Sequence, residues 1–175
     1  MLLGMDAQPE LALLARVLNE HRLEAVLIGN MAAALHGAPV TTVDVDFFFR
    51  KTPGNLKKLK AVAGSIGAVI LRPYYPASDL FRLQRERDGL QLDFMGWIDG
   101  VKSYESVRGR ASTFEIGGYP LLVCALEDVI RSKRAAGREK DSAVLDILER
   151  TAHEKENGGE KNKRGAKTRG TRKGK

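Results

Sequence analysis

An α/β (or α+β) layer fold is predicted for this sequence: a mixed central sheet flanked by helices, closed by a C-terminal helical pair. Three observations predict it. Stretches with helical spacing alternate with short β-branched or apolar runs as far as Ala125. Two helical stretches separated by Gly137 then follow one another. Apolar residues make up 43% of the 175, enough for one domain with an ordinary core.

The elements follow in order. "PELALLARVLNEH" has apolar residues at 11, 14, 17 and 18, a helical spacing. "EAVLIG" is a short apolar run ending in glycine, read as a buried strand. "NMAAALHG" is a short Ala-rich helix stopped by Gly37. "TTVDVDFFF" is a strand by composition, and "GNLKKLKAVAGSIG" a helix with Leu56, Leu59 and Val62 inside and its lysines outside. "AVILR", "DLFRLQRE" and "LQLDFMGW" read as strands, the last two joined by the turn pair Asp88-Gly89. After "GVKSYESV" come two further strands, "STFEIG" and "YPLLVCA", and then the helices "LEDVIRSKRAAG" and "EKDSAVLDILER".

Charge divides the chain at residue 150. Residues 151–175 hold nine Lys/Arg against three Glu, so the 29 basic and 22 acidic residues of the whole leave twenty and nineteen for residues 1–150. The first 150 residues therefore read as a nearly neutral domain, and 151–175 as a basic, disordered tail. Such a tail suits an electrostatic arm for nucleic acid or a solubilising extension, and no aromatic residue interleaves with its charges. No apolar run is long enough to span a bilayer, and the N-terminus is a poor signal peptide. The single cysteine, Cys124, lies in an apolar run and reads as a core residue. Together these predict a cytoplasmic protein with no membrane partner.

Asp44 and Asp46 interrupt the apolar stretch "TTVDVDFFF". Two apart on a strand, they point to one face while Val43, Val45 and Phe47 point to the core. Like charges placed together in an apolar setting call for a cation. With a third oxygen ligand they suit magnesium, and Asp93 in "LQLDFMGW" completes such a set if its strand lies alongside. Upstream, Gly29-Asn30 sits where a strand turns into a helix. The glycine lets a phosphate approach the backbone, and Asn30 either donates to a phosphate oxygen or caps the helix.

This set of motifs resembles the nucleotidyltransferase superfamily of the DNA polymerase β type. Its pattern is a strand, Gly-Gly or Gly-Ser opening a helix, an Asp-x-Asp strand, and a later single Asp on a neighbouring strand. Here these are "LIGNMAAALHG", "VDVDFFF" and "LQLDFMGW". More narrowly, the chain is similar to small bacterial nucleotidyltransferase-like proteins of the abortive-infection and toxin–antitoxin type. Those carry a His-Gly, matched by His36-Gly37, and a Thr two residues before the first Asp, matched by Thr42. They end in a helix with a Lys, then a basic residue and an Asp, matched by Lys133, Arg138 and Asp141. The resemblance spans roughly residues 8–150.

It implies transfer of a nucleoside monophosphate from a nucleoside triphosphate to a hydroxyl of RNA, protein or a small molecule. Asp44, Asp46 and Asp93 are then the catalytic acids and the magnesium ligands. Gly29, Asn30, Thr42, Lys133, Arg138 and Asp141 belong to the nucleotide site. A partner protein encoded by a neighbouring gene is also implied. Two positions depart from the pattern: Asn30 stands where Gly or Ser is usual, and Val40 where relatives often have Arg. Those departures keep a second class open, a non-catalytic module that binds nucleotide, RNA or a partner.

Overall fold

The computed structural model describes residues 7–42, 44–73 and 79–168. Val43, residues 74–78, the amino-terminal six residues and the last seven lie outside them, and so do the expectations placed there. The elements are α1 (Ala7–Glu20), β1 (Ala25–Ile28), α2 (Gly29–Leu35), β2 (Val45–Phe49), α3 (Pro53–Ile66), β3 (Val69–Leu71), β4 (Leu80–Arg85), β5 (Leu90–Met95), α4 (Tyr104–Arg108), β6 (Ser112–Ile116), β7 (Tyr119–Val123), α5 (Leu126–Ala136), a 3-10 turn (Glu139–Asp141) and α6 (Ser142–Thr168).

One seven-stranded sheet, in the order β3-β4-β5-β2-β1-β7-β6, runs through the described residues. It is mixed, as expected: β2 and β5 are parallel, β1 and β7 are parallel, and the remaining neighbours are antiparallel. The β4–β5 hairpin forms around Asp88-Gly89. Gly89 takes a φ of +73°, and the buried Arg85 guanidinium donates to Asp88 and to Glu10 of α1.

Alternation along β2 divides the sheet's faces. Val45, Phe47 and Phe49 are buried, and Phe47 stacks on Phe94 of β5 at 4.9 Å while Phe49 meets Phe81 and Phe94 edge-on. Burying each ring contributes roughly 2–3 kcal/mol. Phe48 points the other way and is covered by Tyr104 of α4. α3 begins where Thr52 accepts from the Asn55 amide, with Pro53 in its first turn, and stops at the left-handed Gly67. Asn55, itself buried, ties the start of α3 to the main chain of Glu24 and Arg50.

α5 stops at Gly137, φ +59°, and the 3-10 turn reverses the chain into α6. α6 packs through the fully buried Leu148 and through Val144, Leu145 and Ala152. It continues through the position after residue 150 where the composition changes. Among the described residues no helix is long and apolar enough to cross a membrane.

Candidate active site

The site is built where β1 ends. Asp46 lies opposite Ile28 across the β1–β2 ladder and beside Asp93 in the parallel β2–β5 register. At Gly29 the chain leaves β1 and enters α2 with φ +69°, a left-handed conformation that favours glycine. A Cβ there would stand 2.9 Å from Asp46 Oδ2. Backbone conformation and space both require a glycine, and the main chain of the β1–α2 turn is thereby laid against a carboxylate.

Asp44 is exposed and lies one residue before β2 rather than within the strand, because pairing starts only at Val45. Its amide donates to Thr42 Oγ1 at 3.1 Å, so Thr42 shapes the turn into the strand. Asp46 is half-buried, and its carboxyl is pushed up to about 6, first by burial and then by the negative charges of Asp93 and Asp44. Lys133 and Arg138 oppose that shift, which sets both cations within electrostatic reach of Asp46.

Asp93 differs from the arrangement the sequence suggests. Arg82, directly opposite across the hairpin, donates from Nε to Oδ1 and from a terminal nitrogen to Oδ2, both at 2.8 Å. This two-pronged grip satisfies the carboxylate locally. Among the described residues no three Asp, Glu, His or Cys side chains are grouped closely enough to hold one metal ion, so the expected three-acid set is not closed around one point. Asp44 and Asp46 bring carboxylate oxygens, the donor type a hard cation takes, to the start of β2. Asp46 is a half-buried carboxylate with no ion pair among the described residues, in a cradle kept open by the missing Cβ of Gly29.

Asn30 does not cap α2. The helix already begins at Gly29, with Ile28 at the cap position and no side-chain cap bond. Asn30 Oδ1 is instead buried without a hydrogen-bond partner among the described residues. Lys133 donates to Asp141 at 2.6 Å, and both side chains are mostly buried; the 3-10 turn after Gly137 folds Asp141 back against α5.

A cleft of about 620 Å³ brings Gly29, Asp46, Lys133, Arg138 and Asp141 onto one lining. Asn30, Thr42, Asp44 and Asp93 lie outside that lining. Cys124 also lines it but is almost wholly buried, and burial pushes its thiol up, so it behaves as the core residue expected. His36 is structural. Its Nε2–H donates to the Cys124 carbonyl at 2.8 Å, its ring meets Phe114 edge-on, and Nδ1 faces Lys155 of α6.

Sequence reading missed Arg82, Trp97 and Asp128. Asp128 is buried at the cleft wall under Arg110 and Arg131. For Arg82 a signal existed. Counting outward from the Asp88-Gly89 turn, Arg85 faces Leu90, and the same register sets Arg82 against Asp93.

The profile of a family described as "Nucleotidyl transferase of unknown function (DUF2204)" matches residues 78–167. No curated protein matches the chain in sequence. Among solved structures, the chain is similar to ANT(2'')-Ia in complex with adenylyl-2''-tobramycin, at 16% identity and a TM-score of 0.59 over 82% of this chain and 88% of that one. A Thermotoga maritima protein described as a nucleotidyltransferase is similar at 16% identity and a TM-score of 0.59, over 82% and 92%. The lincosamide antibiotic adenylyltransferase LnuA, lincomycin-bound, is similar at 15% identity and a TM-score of 0.58, over 81% and 96%. At these identities the likeness concerns the fold.

Proposed function

Because the chain belongs to this family of nucleotidyl transferases of unknown function, we propose that it is a magnesium-dependent enzyme that moves a nucleoside monophosphate from a nucleoside triphosphate to a hydroxyl. The observation that carries this reading is the facing of Asp46 and Gly29 by Lys133 and Arg138 across one cleft. A triphosphate needs cations along its length and open backbone beside it, and this lining supplies both.

In this reading Asp44 and Asp46 would hold magnesium. When bound, the ion supplies positive charge at the triphosphate and favours ionisation of the attacking hydroxyl. Lys133, oriented by Asp141, and the more exposed Arg138 would contact phosphate oxygens and offset charge on the departing pyrophosphate. Asn30, whose buried Oδ1 lacks a donor, would accept from a hydroxyl or N–H of the nucleotide, and Thr42 would complete that side. The acceptor oxygen bonds to the α-phosphorus, the bond from that phosphorus to the bridging oxygen breaks, and pyrophosphate leaves. The acceptor's proton passes to Asp93, whose oxygens keep lone pairs free of Arg82.

The test follows labelled α-phosphate from each of the four triphosphates onto RNA, protein and small-molecule fractions. Label should appear on one fraction and vanish with Asp44→Asn or Asp46→Asn; no label on any fraction overturns the reading. The antibiotics named with two structural neighbours, tobramycin and lincomycin, make small molecules the first fraction to examine. A toxin–antitoxin setting is the physiological form attached to this reading. Growth arrest on expression, relieved by the product of an adjacent gene, would bear it out.

A second reading, a module that binds nucleotide without transferring it, is favoured by the Arg82 grip on Asp93. It requires calorimetric binding of magnesium and triphosphate with no transfer under any condition.

A further inference from the structure

One part of the cleft takes no role in the chemistry above. Trp97 is 63% exposed, the most exposed large apolar side chain among the described residues, yet it lines the cleft. Asp99, two residues on, also lines it and is half-buried, and its carboxylate has no hydrogen bond or ion pair among the described residues.

The segment that carries them runs between two glycines that approach neighbouring atoms closely. A Cβ on Gly96 would meet the Lys51 side chain at 3.0 Å. At Gly100, φ +73°, a Cβ would fall 2.7 Å from the Arg131 carbonyl oxygen and 2.8 Å from the Ala135 Cβ. At Gly100 the loop thus lies close against the α5 backbone, and the indole and the carboxylate are presented beside that helix. Exposing a tryptophan on this loop gains the fold nothing by burial, whereas stacking on a ligand would use it.

Position says which ligand. The cations Lys133 and Arg138 come from α5 and the turn after it, and that side takes the triphosphate. Trp97 follows the end of β5, the strand of Asp93, and Asp93 takes the acceptor's proton in the proposed reaction. Met95 follows Asp93 on the same face of the strand and also lines the cleft. Trp97 lies two residues past Met95, where β5 ends, so even a fully extended chain would set it no more than about 14 Å from Asp93, within the span of a small molecule.

Charge narrows the class. Of the cleft's other acids, Asp79 pairs with Lys51, Asp128 with Arg110 and Arg131, and Asp141 with Lys133, while Asp46 belongs to the metal end; Asp99 is the unmatched carboxylate at the end lined by the apolar Met95, Leu80 and Ile98. A nucleic-acid acceptor would bring phosphates to a rim whose unpaired charge is negative. A polycation would find one partner.

We infer that the Trp97–Asp99 rim seats the acceptor, and that this acceptor is a hydroxyl-bearing small molecule with a ring to stack on the indole and a single ammonium group for Asp99. The inference rests on the transferase reading. The ring lies over the indole, where an adjacent cation is attracted to the π face, and the ammonium donates to the carboxylate.

The chain has one tryptophan, so its fluorescence reports this rim alone. The full chain is titrated with 2-amino-1-phenylethanol, its N-acetyl derivative and a short single-stranded RNA. Calorimetry with magnesium and each of the four triphosphates is run on the same unmodified chain. A saturable change with the amine is expected, about tenfold weaker with the uncharged derivative, and Asp99→Asn should remove that difference. No saturable change with the amine, an equal response to the acetylated compound, or a gap that survives in Asp99→Asn overturns the inference. A tighter response to the RNA or to a triphosphate overturns it as well. If calorimetry shows triphosphate binding while the rim is silent, this inference falls and the transferase reading stands. If no triphosphate binds, the transferase reading falls and the acceptor assignment with it.

Discussion

Alternate residues of β2 live under opposite rules. Val45, Phe47 and Phe49 gain by being buried, and their rings pack against Phe81 and Phe94. Asp46, between them in sequence, faces the cleft, and burial works against its charge. On β5 the same alternation sets Phe94 against Asp93, but there Arg82 supplies the missing charge. The apolar face makes the strand pair stable enough to hold an unfavourable carboxylate on the other. The difference between the two acids shows which of them is left wanting a cation.

The contrast breaks first at the rings. Phe47→Ala should cost about 3–5 kcal/mol, since the ring is fully buried and stacked. Urea unfolding monitored by circular dichroism would read this. A loss under 1 kcal/mol would mean that this face does not carry the strand.

Asp46→Asn should act in the opposite direction and stabilise the fold at neutral pH. An Asp raised from 3.8 to about 6 binds its proton more tightly when folded, so its contribution to stability falls as pH rises through that window and is least favourable above it. The shift corresponds to about 3 kcal/mol, and residual solvent access reduces the expected gain to about 1–3 kcal/mol. Parallel unfolding curves at pH 4 and pH 7.5 should show the variant's advantage only at the higher pH. Magnesium should raise the Tm of the unmodified chain and leave that of Asp46→Asn unchanged.

Arg82→Gln sharpens the comparison from the β5 side. It leaves Asp93 without its two-pronged partner and should cost about 1–2 kcal/mol. It should also make β5 respond to divalent cations as β2 does, seen as a larger magnesium-induced rise in Tm than in the parent. Away from both faces, the exposed Arg134–Glu149 pair joining α5 to α6 should matter least: Glu149→Gln should change stability by under about 1 kcal/mol.

Much of this was legible in the sequence, and the reasons are specific. Composition marks β2 as a strand and alternation marks β5, but that Asp93 lies beside Asp46 follows only from the family resemblance, since neither strand's own pattern names its neighbour. Lys133, Arg138 and Asp141 could be selected, yet their convergence depends on the 3-10 turn after Gly137, which has no periodic signature. Thr and Val suit β structure and extend the expected strand over Asp44, whereas pairing begins only at Val45. Arg82 reads as an ordinary charged residue on a strand until the hairpin register is counted. Trp97 lies past the end of β5, where neither a two-residue nor a helical period applies, so its place in the cleft depends on the chain's path from Gly96 to Gly100.

The discomfort of Asp46 bears on how such a chain could drift. Exchanging this aspartate for asparagine takes one nucleotide change in either of its codons and would leave a sturdier molecule. A lineage released from any duty at this cleft would meet that replacement early and gain by keeping it. Random change thus runs downhill toward the amide, and an acid standing beside Gly29 is the state that selection for use, rather than for folding, would hold in place.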